Sequence, residues 1–86
     1  MNINDLIATV KKKLQNNFVI ENISIEDKSF LHKKHKSYQE GKFHLKLSIE
    51  SIELSQLSKI QSNKEIYKAL SQEMKDHIHS LQILIR

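Results

Sequence analysis

The segment KFHLKLSIES, residues 42–51, alternates apolar and polar side chains along its length. Phe43, Leu45, Leu47 and Ile49 fall on one side, and Lys42, His44, Lys46 and Glu50 on the other. A period of two marks a β-strand with one buried face. The chain must therefore build a sheet with a core side and a wet side, and His44 is expected on the wet one. Proline is absent and Gly41 is the single glycine, so few residues interrupt regular structure.

The other elements follow from spacing. Ile3, Leu6, Ile7, Val10 and Leu14 recur at helical intervals, with Asn2 or Asn4 available as N-cap and Asp5 in the first turn, which predicts a helix ending near Asn16 and Asn17. ENISIED alternates Ile23 and Ile25 with Ser24 and Glu26, a short half-buried strand. Leu54 and Leu57 suit one helical turn. Ser62 to Glu65 has the S-x-x-E form of a capping box, which would open a further helix burying Ile66, Tyr67, Leu70 and Met74. IHSLQILIR reads as a last strand. The first two strands would pair antiparallel, and the helical crossover would return the third strand parallel to the second. The expected fold class is α+β, a three-stranded mixed sheet covered on one face by helices. With 86 residues the chain forms one domain, residues 1–86, with a long functional loop over about 28–41.

Composition excludes several functions. The absence of cysteine removes disulfides, thiol nucleophiles and thiolate ligands, so any bound metal must be held by histidine, carboxylates or a partner's groups. Apolar runs are too short to cross a bilayer, and the lysines of MNINDLIATVKKK follow its apolar residues, the reverse of a secretory signal. A cytoplasmic location with no membrane contact is the expectation. Glu50, Glu53 and Glu73 lie in separate elements, and no Ser/His/Asp set is evident, so no enzyme is expected. The net charge of +4 comes from 14 basic and 10 acidic residues, and an ordinary lysine-rich surface gives the same sum.

Between the first two strands lies DKSFLHKKH, residues 27–35. Its His32 and His35 could belong to a metal site, its lysines to a nucleic-acid patch, or the whole to a solvated turn. Loop histidines among lysines are usually exposed, so the turn is the simplest reading of the stretch alone. His79 in the last strand has a similar default, a hydrogen-bonded structural histidine. Nucleic-acid binding is the rival function. A GxxG clamp cannot exist with one glycine, and the wet sheet face carries no aromatic platform. Lys33, Lys34, Lys36, Lys42 and Lys46, with Lys64 in the later helix, remain as a phosphate-attracting surface. DNA binding through them would be weak and strongly salt-dependent.

Several short motifs occur in a particular order: Asp27-Lys28-Ser29, then His32 and His35, His44-Leu45, Ser51, and Ile78-His79-Ser80-Leu81. Their order and spacing resemble the BolA family across residues 3 to 85. The resemblance implies a type II KH-like αββααβ fold and a role beside monothiol glutaredoxins in iron-sulfur cluster assembly, trafficking or iron regulation. It further implies a 2Fe-2S cluster shared with the partner complex, which would supply a cysteine thiolate and glutathione, so no cofactor is expected in the isolated protein. His79 matches the family's late histidine ligand, and His32 matches the loop ligand, with His35 as the fallback. Some family members are described as DNA-binding transcription regulators, which is the alternative implied here. The isolated protein would be a monomer or a weak homodimer. The chain departs from the family pattern at Ser62-Asn63-Lys64, where R-H-R is common, at Lys34, where the loop carries a glycine, and at Gln56, where a glycine follows the second strand.

Overall fold

The structure is a computed structural model, and it describes residues 1–29 and 42–86. The order of elements is α1 (Ile3–Asn17), β1 (Asn22–Asp27), β2 (Phe43–Glu50), α2 (Ile52–Ser55), α3 (Lys59–Ala69), α4 (Ser71–Asp76) and β3 (Ile78–Ile85). The strands form one sheet in the order β1-β2-β3, β1 antiparallel and β3 parallel to β2. This is the α+β architecture expected from the residue pattern, with the last helical region divided in two.

Helix α1 begins at Asn2, whose Oδ1 accepts the Asp5 backbone N–H at 2.8 Å, so Asn2 rather than Asn4 is the cap. Leu6, Val10 and Leu14 then recur on one face and are fully buried. They meet Leu45, Leu47 and Ile49 of β2, Ile78 and Leu81 of β3, Leu54 of α2, and Ile66 and Leu70 from the crossover in one core. Strand β2 is central, so its apolar residues are sealed from above by helices and on both sides by neighbouring strands.

Three expectations about the crossover fail. Helix α3 opens at Ser58, whose hydroxyl accepts the Gln61 N–H at 3.0 Å, and Ser62 is buried inside the helix with its hydroxyl donating to the Lys59 carbonyl. Both serines are followed by a suitable side chain three residues later, Gln61 and Glu65, so the capping-box pattern does not separate them. Burial does: starting at Ser58 places Ser62, Ile66 and Leu70 on the inward stripe. The helix also breaks at Leu70, which has φ −104° and ψ 18°. Tyr67 is not part of the buried stripe. It is 40% exposed, and its hydroxyl donates to the Leu81 carbonyl at 3.1 Å. Ser58→Ala should accordingly lower stability by about 1 kcal/mol in urea denaturation, whereas Ser62→Ala, which loses only a bond within its own helix, should change it by less.

Polar side chains join segments far apart in sequence. Ser51 Oγ donates to the Val19 carbonyl at 2.7 Å and accepts from the Leu54 N–H at 3.1 Å, while Glu53 accepts from the Val19 N–H and Glu21 from the Ile52 N–H. These bonds fix the α1–β1 connection against α2. About one turn before the end of α1, Lys13 Nζ donates to Glu73 Oε2 of α4 at 2.6 Å. Glu73 is only 5% exposed, and its second oxygen, Oε1, has no hydrogen-bond partner among the described residues.

Candidate metal centre

The D-x-S motif is where β1 leaves the sheet. Asp27 Oδ1 accepts the Ser29 N–H at 2.9 Å, closing a turn through the side chain, and the Lys28 N–H donates to the His44 carbonyl at 2.7 Å. Ser29 Oγ in turn accepts the His44 N–H at 3.0 Å. Both backbone groups of His44 are therefore bound by residues just past the end of β1. The segment that leaves after Ser29 and re-enters at Lys42 is anchored at His44 at both of its ends.

His44 itself overturns the expectation of a surface residue. It is 3% exposed, its Nδ1 lies 2.6 Å from Ser80 Oγ in a hydrogen bond, and its ring centroid is 4.8 Å from that of His79 at a tilt of 58°. Alternation correctly places its side chain opposite Leu45, but that says only which way it points. The face is lined by neighbouring strands, and here the β3 residues Ser80 and His79 enclose it.

A register shift brings them there. Phe43 pairs with Ile78, but His44 pairs with Ser80, so His79 is an extra residue in β3 with no counterpart in β2. Such a bulge interrupts the ladder and re-aims the inserted side chain. Ile78 can thus sit in the core while His79 and Ser80 both flank His44, with the His79 ring half-buried. His77 precedes the strand as the cap of α4, where its N–H donates to the Glu73 carbonyl and its carbonyl accepts from the Phe43 N–H. The H-x-H at 77–79 is consequently divided between a helix end and a bulge.

The remaining sequence candidates are dispersed. His32, His35, Lys33, Lys34 and Lys36 lie outside the described residues. Lys46 stands on the non-helical face of β2 opposite Glu26 of β1, and Glu26 also holds Lys28 at 3.6 Å. Lys64 is exposed on α3, in the helical layer on the other side of the sheet, so the structure does not join it to Lys42 and Lys46 in one patch. Among the described residues no group of three or more histidines and carboxylates could enclose a metal. The donor chemistry present at the bulge is imidazole, which suits iron, and two or fewer protein ligands leave positions for ligands from outside.

Motifs singled out in the sequence thus meet in one place: Asp27 closes the turn on Ser29, Lys28 and Ser29 bind the His44 backbone, and the His44 ring contacts His79 and Ser80. A family model described as BolA-like protein matches residues 14–86. The chain belongs to the BolA-like family. Its fold is similar to the BolA domain of SufE1 from Arabidopsis thaliana, with a TM-score of 0.78 and 25% identity, covering 92% of this chain and 87% of that one. It is also similar to BolA1 from Arabidopsis thaliana, with a TM-score of 0.75, 22% identity and the same coverage. BolA1 from Mus musculus, a solution structure, matches with a TM-score of 0.71 and 22% identity over 90% of this chain and 60% of that one. No curated protein sequence matches the chain. No helix among the described residues is long and apolar enough to cross a membrane.

The sequence singled out His79 as a candidate but did not show its setting. The signal lay in the pairing of two motifs, His44-Leu45 and Ile78-His79-Ser80-Leu81, whose histidines and serine share one contact in space. Nothing in either motif announces a bulge.

Proposed function

We propose that this BolA-like protein is a non-enzymatic adaptor that docks a monothiol glutaredoxin and contributes His79, with His32 or else His35, to a shared 2Fe-2S cluster. The observation that carries the reading is the bulge at His79, which sets a half-buried imidazole against a buried histidine that is itself held by Ser80 and by the D-x-S turn. An imidazole whose neighbours are fixed loses less freedom on binding a metal, and residues around a ligand tune its orientation. His32 lies three residues past Ser29 in sequence, and Ser29 binds the backbone of His44, whose ring contacts His79. The chain has no cysteine, which fits a half-site completed by thiolates from the partner and glutathione. When bound, the cluster would supply iron-sulfur chemistry to be passed on or sensed. The protein's own residues would orient, ligate and shield it.

The test is visible circular dichroism of a reconstituted 2Fe-2S glutaredoxin titrated with this protein. The wild type should alter the cluster bands, and His79→Ala should abolish that change while retaining the wild-type far-ultraviolet spectrum. A wild-type titration without spectral change, or an undiminished response from His79→Ala, would rule the ligand role out. His32→Ala and His35→Ala then identify the second donor. Duplex DNA binding through lysines has less support, since Lys46 faces Glu26 and Lys64 lies on the other layer. Sequence-specific duplex affinity that survives physiological salt would restore it.

A further inference from the structure

The outer edge of β3 runs along the strand beyond the His79 bulge. The Tyr67 hydroxyl reaches the Leu81 carbonyl, and the Arg86 backbone bonds to β2 through both Ile49 and Ser51. Because backbone groups alternate sides along a strand, Leu81, Ile83 and Ile85 direct their N–H and C=O groups outward, and Gln82 and Leu84 direct theirs to β2. Apart from the Leu81 carbonyl, these outward groups have no partner strand among the described residues.

Edge strands normally carry charges or proline that discourage pairing. The opposite edge, β1, has Glu26 and Asp27, but β3 has no charged residue from Ile78 to Ile85. Beside this unguarded edge is a depression of about 300 Å³, whose lining includes Leu54, Leu57, Lys59, Asn63 and Leu84. Its outer lip is the face of α3 that carries Tyr67: Asn63 and Lys64 are one turn away, and Ile60, 83% exposed, is two turns away. The depression has an apolar floor, Lys59 in its lining and no carboxylate there, and Lys64 is exposed beside Asn63 on α3.

We propose that this edge and depression bind an extended acidic protein segment, added as a fourth strand beside β3. Its backbone pairs with the Leu81 N–H and with Ile83 and Ile85, an apolar side chain enters the depression, and its carboxylates meet Lys59 and Lys64. Strand addition obtains affinity from main-chain bonds and selectivity from side-chain pockets. Charge selects this occupant over a second copy of the chain, because two copies paired edge to edge would set the Lys59 and Lys64 lips facing each other. The site is separate from the His79 centre, and the proposal goes beyond the cluster role.

The experiment titrates the full chain, labelled with nitrogen-15, with a short blocked peptide of alternating glutamate and valine. The amides of Leu81, Ile83 and Ile85 should shift and exchange more slowly with solvent. A peptide N-methylated at alternate residues should bind at least about tenfold more weakly, through lost main-chain bonds. The lysine-valine counterpart should not bind, and the double variant Lys59→Glu/Lys64→Glu, checked for an unchanged melting curve, should prefer it. Unmoved edge amides would overturn the proposal. So would equal binding of both peptides, concentration-dependent edge shifts without peptide, or occupation by oligothymidylate and not by the acidic peptide.

Discussion

Leu47→Ala should destabilise the domain by about 3 to 4 kcal/mol, seen as a fall in the urea midpoint with an unchanged slope. Leu47 is fully buried in the central strand, with Ile25 across from it on one side and Ile83 on the other. A cavity at that place cannot be filled by a helix shifting alone, because strands on both sides hold the backbone in register. For a domain of this size each kcal/mol corresponds to about 4–8 °C in Tm, so the variant should melt at least roughly 12 °C lower. Leu84→Ala is the control. That side chain is 41% exposed, and its loss should cost under about 1 kcal/mol. If the two leucines prove equivalent, the sheet does not have the core face described.

Lys13→Met should be the next most damaging change, at about 2 to 3 kcal/mol. The replacement keeps the aliphatic stem but leaves the Glu73 carboxylate, 5% exposed, without its cation. Breaking a buried pair from one side usually costs about 3–5 kcal/mol. The lower figure applies because the Lys13 side chain is 39% exposed and solvent screens part of the interaction. One Glu73 oxygen already has no hydrogen-bond partner among the described residues, so the ion pair supports a poorly satisfied group. The double variant Lys13→Met/Glu73→Met should recover most of the loss, and a double-mutant cycle measures the coupling. A single Lys13→Met as stable as wild type would mean that water replaces the ammonium at little cost.

These two sites differ in how far the sequence revealed them. The role of Leu47 follows from alternation alone, since a strand of period two has only two faces and the apolar one must be covered. The Lys13–Glu73 pair joins residues 60 apart and has no local pattern. His44 falls between the two cases: alternation identified its face, but not that the face would be closed over it, because closure depends on the His79 bulge. The bulge exists only as a relation between strands, so neither strand alone encodes it visibly. Ser58 and Ser62 show the same limit in a helix. Local chemistry allowed either cap, and the packing of Ile66 and Leu70 selected the first.

The anchoring of Ser29 on His44 has a consequence for protein engineering. Lys28 and Ser29 on one side and His44 on the other are tied together by hydrogen bonds to the His44 backbone, so the β1–β2 ladder is closed at fixed posts that bound residues 30–41 in sequence. Changing the length of a flexible connection twofold alters its closure free energy by only about 0.6 kcal/mol. Segments of other lengths and compositions can therefore be exchanged at these posts without altering the strand register, and metal-binding loops can be compared on an unchanged His79 background.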